Sequence, residues 1–124
     1  MVETIYTPNA PTSNNPISQA VKVGNLYFLS GQTPKDLEGN LVGTTIEEQS
    51  EQVMKNIGAI LESQGLDFTD TARVTGYVTD IKNVPGFTKI FAKYFPHKPA
   101  RTCFEVAALG KGILIEVDVI AAAK

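Results

Sequence analysis

Apolar positions along the chain follow two rhythms. Between Thr45 and Gln64, Val53, Ile57, Ile60, Leu61 and Gln64 recur every three or four residues, and Glu51, Lys55, Glu62 and Ser63 fall on the other side. That period predicts an amphipathic helix over 45–64. Thr45 and Glu48 have capping-box spacing, and Gly65 follows as the stop. A second helix is predicted over Val84–Phe95, with Phe87, Ile90, Phe91 and Tyr94 as its inner stripe, Asn83 as its cap and Pro85 in its first turn. Pro96 and Pro99 end it. The remaining apolar runs read as strands: Glu3–Thr7, Ser18–Val23, Leu26–Ser30, Thr71–Asp80, Arg101–Ala108 and Ile113–Ala121. The second and third flank Gly24-Asn25 and form a hairpin. Leu26-Tyr27-Phe28-Leu29 is apolar throughout, which predicts a strand covered on both faces. Residues 7–16 and 33–44 are rich in Pro, Asn and Gly and form loops.

The order β-ββ-α-β-α-ββ predicts an α+β fold, a mixed β-sheet with two helices packed on one face. In the last strand Ile113, Ile115, Val117 and Val119 form one row, and Leu114, Glu116, Asp118 and Ile120 the other. Two helices cover one side of such a sheet. The second side, part apolar and part ionisable, is expected to meet another copy of the chain.

Composition narrows the function classes. A chain of 124 residues has the length of one domain, spanning 1–124, and needs no disulfide or metal for its core. Its 43% hydrophobic and 19% charged residues exclude a disordered chain. Eleven basic against thirteen acidic residues, net −2, make a phosphate-binding face unexpected, so nucleic acid is not expected as a partner. Lys82, Lys89, Lys93 and Lys98 read as solvated surface. No apolar run approaches the ~18 residues of a membrane span. The first ten residues lack a signal-peptide pattern and Met1 is present, so a cytoplasmic location is expected. One cysteine, Cys103, and one histidine, His97, exclude a Cys/His-rich zinc site. No nucleotide-binding glycine motif or nucleophile elbow occurs.

Candidate chemistry centres on the last two strands. Alternation places Arg101, Cys103 and Glu105 on one strand face. If Leu109–Gly112 joins these strands as an even-length hairpin connection, Glu105 lies opposite Glu116 and Cys103 opposite Asp118. Arg101, Cys103, Glu116 and Asp118 then share a face. Arg101, one of two arginines, has the fork that grips a carboxylate bidentately. Glu116 beside it would orient and deprotonate a water. The competing reading is a structural Arg–Glu ion pair. Cys103 reads as a small buried hydrophobe and His97 as an exposed loop residue. Ser30-Gly31, at a strand end, offers a hydroxyl and an N–H to a ligand, or merely ends the strand.

The run Lys98-Pro99-Ala100-Arg101-Thr102-Cys103-Phe104-Glu105-Val106, then Leu109-Gly110-Lys111-Gly112 and Ile115-Glu116-Val117, resembles the C-terminal signature of the RidA family (the YjgF/YER057c/UK114 proteins). Pro16-x-Ser18-Gln19-Ala20-Val21, Leu29-Ser30-Gly31-Gln32 and Val78-Thr79-Asp80 resemble its other motifs in the same order. The resemblance runs from about Ile5 to Ala121. It implies a chorismate-mutase-like fold, a homotrimer with ligand clefts between subunits, and no cofactor or metal. It also implies hydrolysis of reactive enamines and imines, such as 2-iminobutyrate and 2-iminopropionate, to 2-keto acids and ammonia. The family's carboxylate-binding arginine falls on Arg101, its acidic residue on Glu116, its cysteine position on Cys103, and its Ser-Gly pair on Ser30 and Gly31. The resemblance also marks departures. Ile17 stands where a tyrosine is usual, Thr88 where an asparagine is, and Phe91 where a tyrosine is. These make the implied pocket more apolar and poorer in donors.

Overall fold

The computed structural model describes residues 1–124. Six strands form one sheet: β1 (Glu3–Ile5), β2 (Ala20–Val23), β3 (Leu26–Leu29), β4 (Thr71–Val78), β5 (Ala100–Glu105) and β6 (Ile115–Ala122). Helices α1 (Ile46–Ser63) and α2 (Val84–Tyr94) pack together and cover one face. The sheet order is β1-β2-β3-β6-β4-β5, antiparallel except for the parallel pair β4–β5, whose crossover carries α2. The expected α+β architecture is present.

Local chemistry sets the elements. Thr45 caps α1, its side chain taking the Glu48 N–H while the Glu48 carboxylate takes the Thr45 N–H. Gly65, at φ +71°, ends the helix in the left-handed conformation. Val53, Met54, Ile57, Ile60 and Leu61 are almost wholly buried, each contributing about 1.5–3 kcal/mol. They face Ile115, Val117 and Val119 of β6 and Val74 and Val78 of β4. In β4, Gly76 lets the Phe87 ring settle on the sheet: a Cβ there would lie 3.1 Å from that ring and 3.2 Å from Cys103 Sγ.

Several expectations change. Asn83 makes no side-chain cap. A short 3₁₀ turn, Ile81–Asn83, precedes α2 and is capped by Asp80. The apolar run of β3 is covered on one face only: Tyr27 and Leu29 are buried, whereas Leu26 and Phe28 are 41% and 38% exposed. The largest correction concerns β5 and β6. They are not neighbours, because β4 lies between them. Glu116 opposes Tyr77 and Asp118 opposes Thr75, while Arg101 lies beside Val74 and Cys103 beside Gly76. The connection after β5 passes over the end of β4, so the cross-strand arithmetic for a hairpin does not apply.

Candidate functional site

The strand order divides the candidate residues into two groups on opposite faces of the sheet. Arg101 and Cys103 share the face of Val74 and Gly76, toward the helices. Glu116 and Asp118 alternate with the buried row of β6 and face away from the helices. The expected common face for Arg101, Cys103, Glu116 and Asp118 is therefore absent within one chain.

On the helix side, the Arg101 guanidinium is half-buried. Its Cζ lies 4.9 Å from the centre of the Phe91 ring and 5.4 Å from that of Phe87, a cation–π arrangement. One donor, Nη1, gives a 3.1 Å hydrogen bond to Thr88 Oγ1. Arg101 is in none of the chain's salt bridges. A guanidinium that is part-desolvated and lacks an anion has donors free to meet one. Cys103 sits two residues on. Burial pushes its thiol up, and the nearby Arg101 offsets this only in part, so it is not an activated thiolate.

On the other side, Glu116, Ser30 and Gly31 line one cleft of about 910 Å³ together with Ile17, Ser18 and Ile113. Gly31 is not in the left-handed region. A Cβ there would overlap the Glu116 carboxylate, so a side chain at 31 would push that carboxylate aside. No partner within the chain takes the Gly31 N–H. Ser30 is less free than expected, because its hydroxyl donates to the Ser18 carbonyl at 2.7 Å and its N–H bonds Gln19 O. It offers a ligand only an acceptor. Burial first, and the Asp118 carboxylate second, push the Glu116 carboxyl above its ordinary value of 4.5. Tyr77 donates to Asp118 Oδ2 at 2.7 Å, and that bond with burial raises the phenol to about 12. Ile17 is exposed at the cleft.

Sequence reasoning missed what holds the cleft. Gln49, wholly buried on α1, donates from Nε2 to the carbonyls of Gly43 and Gly112 and accepts the Leu114 N–H. It thereby fixes the segment that leads into β6 and Glu116. Gln19 does the same for residues 7–11, bonding Thr7 at both backbone groups and the carbonyls of Ala10 and Pro11. The available signal was a glutamine, with Ser50 and Asn56, on the inner side of α1. A larger groove of about 1110 Å³ follows the outer side of α1 and contains none of the candidate residues. His97 is exposed, its Nε2 lying 2.8 Å from Thr71 O.

A family model described as Endoribonuclease L-PSP matches residues 7–123. The chain belongs to this family, that of the YjgF/RidA proteins. A RutC family protein of Pyrococcus horikoshii is 43% identical, the match covering 98% of each chain. Reactive Intermediate Deaminase A of Arabidopsis thaliana is 40% identical over 96% of this chain and 65% of its own. A Lactococcus lactis relative named "Putative regulator AldR" is 42% identical over 97% of both. Among solved structures, the yeast protein YEO7 superposes with a TM-score of 0.95 at 38% identity over 100% of both chains. RidA from an Antarctic Psychrobacter follows at 0.91 and 36%, covering 97% of this chain and 98% of that one. E. coli TdcF with bound serine gives 0.91 and 28%, covering 98% and 99%. YjgF/RidA proteins thus share both the α+β fold and the placement of its elements with this chain.

Proposed function

We propose that the chain hydrolyses reactive 2-imino and enamino acids, such as 2-iminobutyrate and 2-iminopropionate, to 2-keto acids and ammonia. The reaction takes place at clefts between the subunits of a homotrimer and uses no cofactor. The observation that carries this reading is the Arg101 guanidinium, half-buried against two aromatic rings and without a carboxylate partner. Arg101 and the Glu116 cleft lie on opposite faces of one sheet, so one ligand meets both only where two copies adjoin. Arg101 of one copy grips the substrate carboxylate. Glu116 of the next holds a water at the imine carbon.

Water adds across the C=N bond, its oxygen to carbon and one proton, by way of Glu116, to nitrogen, which gives a carbinolamine. The hydroxyl proton of that intermediate then passes through the same carboxyl group to nitrogen, so that ammonia leaves and the C=O bond of the keto acid forms. A carboxyl held above the usual range suits both taking and returning that proton. The unpaired Gly31 N–H supplies a further donor, and the Cys103 backbone lies beside Arg101. The Arabidopsis and Psychrobacter relatives carry deaminase names, and the serine held in the TdcF structure has a carboxylate suited to such a clamp.

Losing the bidentate contact costs about 2–4 kcal/mol in transition-state binding. Arg101→Lys is therefore expected to be nearly as damaging as Arg101→Ala toward freshly generated 2-iminobutyrate. Full activity in Arg101→Lys would rule the clamp out. A second reading, a non-catalytic sensor of small carboxylates, is favoured by the regulator name of the Lactococcus relative. It uses Arg101 without Glu116, so Glu116→Ala with intact 2-ketobutyrate binding and no lost function would select it. RNA cleavage, named in the family's description and in the names of two similar solved structures, has little support in this chain. The net charge is −2 and the single histidine is bound to a backbone carbonyl.

A further inference from the structure

Resting on the carboxylate-clamp reading, we propose that Thr88, backed by Phe87 and Phe91, is the positioning residue that aims Arg101. All three lie on one turn of α2, at positions i, i+1 and i+4, and β5 brings Arg101 against that turn. Phe87 is wholly buried and Phe91 is 9% exposed, and their rings lie 5.7 Å apart. They form a fixed floor under the guanidinium and exclude water from it. A floor alone leaves the group free to turn in its plane. Thr88 Oγ1 removes that freedom by accepting from Nη1. The other edge of the fork, Nε and Nη2, has no partner in the chain. That edge presents two parallel N–H groups, the geometry that pairs with both oxygens of a carboxylate. The Thr88 hydroxyl proton is also unspent, since Thr88 Oγ1 serves only as an acceptor.

The free edge can take both oxygens of a carboxylate in its plane, the group that the proposed imino-acid substrates carry. Thr88 acts through Arg101, so its loss falls on substrate capture before chemistry.

The test combines kinetics with a spectroscopic readout that needs no turnover. The chain has two arginines, Arg73 and Arg101, so side-chain ¹⁵N NMR of the intact protein gives two guanidinium signals, assigned with Arg73→Lys. Arg101 is expected to show slowed rotation of its Nη groups in the wild type, released in Thr88→Val and kept in Thr88→Ser. Thr88→Val is expected to raise KM for 2-iminobutyrate about tenfold with kcat changed far less, and Thr88→Ser to restore it. Phe91→Leu is expected to fall between them. If the Arg101 signal is equally mobile in wild type and Thr88→Val, or if Thr88→Val keeps its KM, the inference is overturned. An Arg101 signal ordered by Thr88 in a protein that binds no 2-ketobutyrate and turns over no imine would uphold the positioning and defeat the deaminase reading instead.

Discussion

At the scale of single residues, Gly31 and Glu116 form one unit, because the carboxylate occupies the space a side chain at 31 would fill. Gly31→Ala is expected to cut turnover at least tenfold by displacing the Glu116 carboxylate, while the melting temperature moves little at this exposed site. Paired activity and thermal-denaturation measurements check both halves of that statement. The raised Glu116 carboxyl has a second consequence. A carboxyl more easily protonated in the folded chain than in the unfolded one adds stability below its ordinary value of 4.5, and loses it as pH rises through the folded value. Glu116→Gln is therefore expected to stabilise the fold at neutral pH and to leave it unchanged in acid, as denaturant titrations at the two pH values would register. Asp118→Asn removes the neighbouring charge, so the acid limb of the kcat/KM profile is expected to move to lower pH. These residues were legible in the sequence as types: a scarce arginine, a glutamate in an apolar strand, a Ser-Gly at a strand end. Their grouping was not. Alternation fixes the side of its own strand to which a residue points, and says nothing of which strand lies next to it.

At the scale of elements, periodicity and turn residues located both helices and all six strands to within a few residues. The boundaries that shifted are those set by tertiary contacts: β5 stops at Glu105, whose carboxylate takes the Ile81 N–H. Strand order was illegible because the even four-residue link after β5 suggested a hairpin. In the structure, the parallel β4–α2–β5 crossover places β4 between β5 and β6. Caps and buried amides make distinct contributions here. Thr45→Ala is expected to cost about 1 kcal/mol, the loss of one exposed cap. Gln49→Leu orphans the Leu114 N–H and two carbonyls, and about 1–3 kcal/mol is expected for each group left without water. Urea titrations of the two variants should rank them in that order; equal costs would show that solvent reaches the Gln49 site.

For the whole molecule, the face of the sheet away from the helices carries Leu26, Phe28 and Phe104 at 38–43% exposure beside Glu116 and Asp118. A final strand with one apolar row and a second row part apolar and part ionisable, and helices for only one of them, anticipated that uncovered side. In the proposed trimer each site takes Arg101 from one copy and Glu116 from its neighbour. Mixing Arg101→Ala with Glu116→Ala chains, unfolded and refolded together, is then expected to recover roughly a quarter of wild-type activity from two inactive parents. Recovery of nothing from chains that refold and assemble would overturn a site shared between copies. Gln49 sets how the molecule opens. One helix side chain holds the turn at Gly43, the turn at Gly112 and the first amide before β6, so neither turn can breathe alone. The Leu114 amide should thus keep its hydrogen until α1 itself melts, exchanging with deuterium as slowly as the deepest positions of the sheet.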